Sequence, residues 1–183
     1  TAARSEGQGA RTPAPAHSSG LPRTFLPGSE WLYLKLYGGA SALDQVLREE
    51  VPGWVAEAKA SGAATGWFFI RYGDPDWHLR LRFHGDPGRL ASEVLPALSA
   101  RVADLQARGL IRRLVVDSYE RELERYGGDA GMPLSERLFE VDSEAVLALL
   151  EAYPGDAGAD DLGEVVEDEE ELGGVARPHD PAA

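Results

Sequence analysis

Residues 67–83 read WFFIRYGDPDWHLRLRF. Two runs of aromatic, branched and aliphatic residues flank Gly73-Asp74-Pro75-Asp76, a turn signal that predicts a hairpin between two strands. The second run alternates, with His78, Arg80 and Arg82 on one side and Leu79, Leu81 and Phe83 on the other. One sheet face is therefore apolar. The other carries two arginines two residue rises apart, about 7 Å, a spacing suited to carboxylates or phosphates.

Working outward, Trp31, Tyr33, Lys35 and Tyr37 alternate with Leu32, Leu34 and Leu36, the pattern of a strand with one aliphatic face. Ser41 and Asp44 predict a capping-box start to a helix carrying Leu43, Val46, Leu47, Trp54 and Val55, which Pro52 should kink or divide. Beyond the hairpin, Asp86-Pro87 predicts an N-cap, and Leu90, Val94, Leu98, Val102 and Leu105 form the stripe of a helix ending near Gly109. Pro96 predicts an irregularity in it. A strand is expected from Leu110 to Tyr119, then the charged YERELERYGG segment, then helix from Pro133 to about Ala152.

The order β-α-β-β-α-β with a central hairpin predicts an α+β, ferredoxin-like plan: an antiparallel sheet with helices on one face, plus a C-terminal helical extension. If the leucines meet the helices, Tyr33, Lys35, Arg80 and Arg82 lie on the other face, which is expected to be open, cationic and aromatic. Arg71 is a further candidate for that face. His78, at the strand start, is a candidate to line it.

The 183 residues suit one domain with tails. Residues 1–22 read as a flexible linker, 23–152 as the domain and 153–183 as an acidic, disordered tail. The formal charge of −13 divides unevenly: residues 1–20 carry +1, residues 21–126 hold 14 basic and 14 acidic side chains, and residues 127–183 hold 2 basic and 16 acidic ones. The acidity therefore does not oppose anion binding on the sheet. With no cysteine, disulfides, zinc–thiolate sites, iron–sulfur clusters and a cysteine nucleophile are excluded. The sequence shows neither a membrane-length apolar run nor a signal-peptide pattern, so a soluble, cytoplasmic protein is expected. A start at Thr1 suggests a trimmed protein or a piece of a longer one.

Four segments, PGSEWLYLKLYGG (27–39), WFFIRYGDPDWHLRLRF (67–83), DSYERELERYGG (117–128) and FEVDSEAVLALL (139–150), stand in the order found in one family. Across about residues 23–152 the chain resembles the C-terminal, glutamate-eliminating domain of lantibiotic dehydratases, shared with thiopeptide-type bacteriocin biosynthesis proteins. The resemblance implies a modified precursor peptide as substrate and glutamate elimination from glutamylated Ser or Thr. It also implies a glutamyl-tRNA-dependent glutamylating domain or partner, and no metal or redox cofactor. A second branch of the family instead joins two dehydroalanines in a [4+2] cycloaddition that forms a pyridine ring.

The residues suit elimination. Removing an α-proton puts charge on the adjacent carbonyl oxygen, which fixed cations stabilise, and the departing glutamate offers carboxylates to guanidinium groups. Arg80 and Arg82 are the candidate catalytic residues, in the motif where the family places functional arginines. Glu122 and Arg125 share a face on a helical turn, and the resemblance puts them in the same pocket, where Glu122 orients an arginine or handles a proton. Tyr33, Lys35, Arg71 and His78 are candidate substrate-binding residues. The resemblance also implies a later helical stretch with a proton-transferring histidine. His17, His78, His84 and His179 do not stand in that place, so the chain reads as part of a larger or split enzyme, or as a non-catalytic peptide- or partner-binding module. RNA binding is disfavoured, because the Lys/Arg-Gly-Phe/Tyr stacking signature is absent and the core is neutral.

Overall fold

The structure, a computed structural model, describes residues 20–153. Strands β1 (Thr24–Phe25) and β2 (Trp31–Tyr37) lead into helices α1 (Ala40–Glu49) and α2 (Val51–Ala60), then the hairpin of β3 (Ala64–Tyr72) and β4 (His78–Gly85). A short α3 (Pro87–Arg89), a π-helical turn (Leu90–Val94) and α4 (Leu95–Ala107) follow. The described chain ends with β5 (Arg113–Asp117), β6 (Tyr119–Glu120) and α5 (Gly128–Ala152). The four-stranded sheet has the order β3-β4-β2-β5 and every neighbouring pair is antiparallel. This is the expected α+β, ferredoxin-like arrangement. The expected linker and acidic tail fall mostly outside the described residues.

Registers place Leu32, Leu34 and Leu36 with Phe83, Leu81 and Leu79. That face packs against α1, α2 and α4 through Leu43, Val46, Leu47, Trp54, Leu98, Val102 and Leu105, all buried. At 25 cal/mol per Å² such leucines contribute about 2 kcal/mol each before entropy is counted.

Both prolines act as their chemistry requires. Pro52 stands in the first turn of α2 and the helix divides at Glu50, because Pro52 has no N–H for the Arg48 carbonyl. Before Pro96 the chain widens into the π turn, in which the Leu95 N–H reaches the Leu90 carbonyl. Asp86 caps α3, its Oδ1 accepting from the Arg89 N–H at 2.8 Å.

Three local expectations are corrected. The capping box at Ser41 does not form: α1 starts at Ala40 behind Gly39 with no side-chain cap, because the Asp44 carboxylate pairs with Arg71 instead. Helix α5 begins at Gly128, five residues before Pro133, which therefore lies inside the helix and leaves the Asp129 carbonyl without its i+4 N–H donor. The strand expected across Leu110–Tyr119 breaks at Ser118, and β6 turns away to pair with β1.

The arginine-bearing face is not open. The β1–β6 ribbon, the turn at residues 123–127 and the N-terminal half of α5 cover it with a second aromatic cluster of Phe25, Trp31, Tyr33, Phe68, Tyr119, Leu123 and Met132. Further along α5, Val146, Leu147 and Leu150 join the helix-side core instead. The helix thus passes from one layer to the other beside the edge strand β3.

Candidate functional site

Cross-strand register builds the site in rows. Tyr33, Arg82 and Phe68 form one row, Lys35, Arg80 and Ile70 the next, and Arg113, Tyr37, His78 and Tyr72 the last. Arg80 and Arg82 therefore share one face with Tyr33, Lys35 and His78, as the alternation predicts. Arg71 does not join them. It pairs in register with Leu79, on the helix side of the sheet, where it meets Asp44 of α1.

Arg82 is only 7% exposed. Its guanidinium carbon lies 4.3 Å from the Tyr33 ring centre, 4.7 Å from Tyr119 and 5.0 Å from Phe68. Three aromatic faces hold the cation where water is scarce, so its field acts at low effective dielectric. Arg80 stacks over Tyr72 at 3.6 Å and donates Nε–H to His78 Nε2 at 3.1 Å. His78 in turn donates Nδ1–H to the Asp76 carbonyl at 2.8 Å and stacks on Tyr37 with ring centres 4.7 Å apart. Burial pulls the His78 pKa below its ordinary value; the Asp76 carbonyl opposes this and the Arg80 charge adds to it.

Lys35 is bound by Asp117 at 2.7 Å. Burial pulls the ammonium pKa down, but the hydrogen bond to Asp117 and neighbouring charges leave it raised, and the bond from Lys35 holds the Asp117 carboxyl down. The pair stays ionised.

Arg80, Arg82 and Glu122 line one small cleft with Phe68, Ile70, Tyr119, Glu120, Tyr126, Met132 and Phe139. Its volume is about 30 Å³, room for a carboxylate rather than a whole residue. Glu122 and Arg125 do share a turn: Arg125 and Tyr126 both donate backbone N–H to the Glu122 carbonyl, at 3.0 and 3.2 Å. The Arg125 guanidinium lies 3.4 Å from the Glu122 carboxylate at the exposed rim, outside the cleft wall. The structure thus brings Arg80, Arg82 and Glu122 together, with Arg125 behind Glu122.

Sequence reading did not single out the network beneath the cleft. Arg121 grips Glu136 through Nε at 2.7 Å and Nη2 at 2.6 Å, with both side chains about nine-tenths buried. Tyr119 donates its hydroxyl to the same Glu136 at 2.9 Å. Burial, then the Glu136 charge, pushes the Tyr119 pKa well up, so the hydroxyl is a donor and not a base. The available signal was Glu136 itself, an acid set at helical spacing among Met132, Phe139 and Ser143.

A larger cavity, about 390 Å³, lies at the end of the sheet between Gly38, Gly39, Gly73, Trp77, Gly109 and Arg112. It contains none of the arginines of the cleft, and the rows of rings and cations give the cleft the stronger chemical claim. Among the described residues, no group of three or more His, Asp or Glu is placed to hold a metal ion, and no helix is long and apolar enough to cross a membrane.

Comparison with known proteins agrees with the fold. The chain is 34% identical over 135 residues to subtilin biosynthesis protein SpaB of Bacillus subtilis, covering 74% of this chain and 13% of that protein. It is 32% identical over 132 residues to nisin biosynthesis protein NisB of Lactococcus lactis subsp. lactis, covering 70% and 12%. Among solved structures, the tRNA-dependent lantibiotic dehydratase MibB from Microbispora sp. 107891 superposes with a TM-score of 0.63 at 38% identity, over 76% of this chain and 12% of that one. TsrL shares the fold at a TM-score of 0.55 and 23% identity, over 69% of this chain and 36% of its own. The chain spans about one eighth of the length of the two biosynthesis proteins. The family described as lantibiotic biosynthesis dehydratase C-term matches residues 31–168, three-quarters of the chain, and the chain belongs to that family.

Proposed function

We propose that this domain acts in lanthipeptide biosynthesis by eliminating glutamate from glutamylated Ser or Thr of a precursor peptide, as one part of a larger or split cytoplasmic dehydratase. The observation that carries this reading is the convergence of Arg80, Arg82 and Glu122 on one carboxylate-sized cleft. A peptide laid across its mouth presents the glutamyl ester to the two guanidinium groups. Loss of the α-proton leaves its electron pair to form the Cα–Cβ double bond, the Cβ–O bond breaks, and glutamate departs as a carboxylate. Buried Arg82 stabilises charge on the peptide carbonyl oxygen, Arg80 receives the departing carboxylate, and Glu122, paired with Arg125, takes the proton. The tRNA dependence of the similar dehydratase MibB supports a glutamylating domain or partner upstream of this step.

The test is mass spectrometry of a synthetic glutamylated Ser peptide incubated with this chain, alone and with the cognate glutamylating protein, beside an Arg82→Ala control. Loss of glutamic acid with gain of a dehydro residue, abolished in the control, is the expected result. An intact ester under both conditions, or equal product from the variant, overturns the reading.

A further inference from the structure

The cavity at the end of the sheet is walled by three connections: residues 38–39 before α1, the hairpin turn at 73–77 and the link at 109–112 before β5. Hydrogen bonds tie them together. The Gly38 N–H donates to the Trp77 carbonyl at 3.3 Å, the Arg112 N–H donates to the Tyr37 carbonyl at 2.7 Å, and the Arg112 guanidinium holds the Asp76 carboxylate at 2.8 Å. Glycine at 38 permits this closure, since a Cβ there would stand 2.6 Å from the Leu110 carbonyl oxygen. Gly39 and Gly109 leave their parts of the wall bare, with nothing within 4 Å of either Cβ position. At about 390 Å³ the space falls within the range of ligand pockets, roughly 300–1,000 Å³.

The lining selects the class of ligand. Trp77 is 43% exposed, whereas Trp31, Trp54 and Trp67 are buried. Its ring lies against Gly73, with three ring atoms 3.6 Å from the Gly73 Cβ position. An indole held in place and left in contact with solvent is an anchor for another aromatic ring, in offset or edge contact. At the rim Arg112 and Asp76 are both exposed, and they offer a donor and an acceptor to the C=O and N–H of an extended peptide residue. A free anion would meet the Asp76 carboxylate as well as the arginine. The arrangement therefore favours a peptide residue with a large aromatic side chain.

Position supplies the occupant. Asp76 and Trp77 immediately precede β4, whose His78 and Arg80 lead to the cleft. Four residue rises, roughly 13 Å, separate Asp76 from Arg80. The row between them, Arg113, Tyr37, His78 and Tyr72, gives no side chain to the aromatic cluster that covers Arg82, and Arg113 in it is exposed. A chain leaving the cleft can run along this row and bring its fourth residue to the cavity. We infer that the cavity is a second subsite for the precursor peptide, taking a large aromatic side chain about four residues from the glutamylated Ser or Thr. The identity of the peptide rests on the proposed elimination reading; the affinity of the cavity for an aromatic peptide residue is tested apart from it.

Proton–nitrogen correlation spectra of the full chain, titrated with acetyl-Ala-Phe-Ala-amide, test it, beside the same peptide with Ala or Glu in the central place. The reporters are the Trp77 indole N–H, assigned by its loss in Trp77→Phe, and the amides of residues 38–39 and 109–112. The Phe peptide is expected to shift them with a Kd on the order of 1 mM, and the Ala peptide to bind at least about tenfold more weakly. Trp77→Ala, which keeps the backbone bond from Gly38, and Gly39→Leu, which fills the cavity from an extended backbone (φ −74°, ψ 151°), should each weaken the Phe peptide at least about tenfold, with circular dichroism confirming that both are folded. No shift at these groups, or a preference for the Glu peptide, overturns the inference. In a second arm, glutamylated Ser peptides carry Phe or Ala four residues before or after the serine. Phe in one of the two places should lower KM for glutamate loss at least about tenfold, and Gly39→Leu should remove the difference. Glutamate loss indifferent to Phe overturns the subsite and leaves the elimination reading standing. Phe-dependent shifts at Trp77 without glutamate loss keep the subsite and overturn the elimination reading alone.

Discussion

Arg80 donates its Nε–H to Nε2 of His78 at 3.1 Å. That bond needs a neutral imidazole with its proton on Nδ1, where the Asp76 carbonyl accepts it. Protonating His78 removes the acceptor and sets two cations in contact, so the position of the Arg80 guanidinium depends on the charge of its neighbour.

Stability should therefore depend on pH through His78. Folding lowers its pKa, so as pH falls the unfolded chain takes up the proton first. The stability contribution is complete above about pH 6.5, declines as pH drops through that value, and levels off below the folded-state pKa. Urea unfolding of the wild type and His78→Gln, compared between about pH 7.5 and 5.5, should show a shallower loss in the variant. Identical slopes would remove His78 as the source.

Arg82→Met should separate chemistry from folding. Methionine fills the space among Tyr33, Phe68 and Tyr119 with a polarisable, uncharged chain, keeping stability within about 1.5 kcal/mol. Elimination in a competent assay should fall about 10²- to 10³-fold, the usual loss when a preorganised charge-stabilising group is removed. Retained turnover in a folded variant would count against Arg82.

The Arg121–Glu136 pair should respond asymmetrically. Glu136→Leu alone strands a buried guanidinium and should cost about 3–5 kcal/mol, as should Arg121→Met alone by stranding the carboxylate, whereas Arg121→Met/Glu136→Leu should lie within about 2 kcal/mol of the wild type. Guanidinium chloride titrations of both singles and the double provide the cycle. Additive losses would show that the two side chains do not act as a unit.

Glycine has a steric reason at Gly131, where an added Cβ would lie 2.0 Å from the Tyr126 carbonyl oxygen. Gly131→Ala should cost about 2 kcal/mol or more and disturb the edge-to-face contact of Tyr126 with Phe139, now 5.3 Å between ring centres. Gly39→Ala is the control, since nothing lies within 4 Å of its Cβ position. A thermal melt that ranks the two the other way would contradict this account.

What could be read in advance follows from periodicity. Strands β2 and β4 alternate for seven or eight residues between an aliphatic face and a polar or aromatic one, and the stripe from Leu90 to Leu105 repeats over four turns, so their type and orientation are written locally. The two-residue strands β1 and β6 have no period to detect, and only their pairing defines them. Arg71 sits in a strand apolar on both sides, where composition does not say which face is which, and Asp44 of α1 decides it. The cleft was half legible. Arg80 and Arg82 followed from alternation and Glu122 from resemblance, but Glu136 became visible only once α5 was seen to return across Tyr119 and Arg121. Its partners are 15 and 17 residues away, a separation no local pattern encodes.

The passage of α5 from the aromatic layer to the leucine layer ties the cleft to the rest of the molecule. Freeing Phe139 from the cleft pulls on the same rod that seats Leu150 in the main core. The site should therefore open together with the main core and not by a local equilibrium of its own. Amide hydrogens around Arg82 and Tyr119 should exchange only when the whole domain unfolds, and a ligand that tightens the cleft should slow exchange as far away as α1.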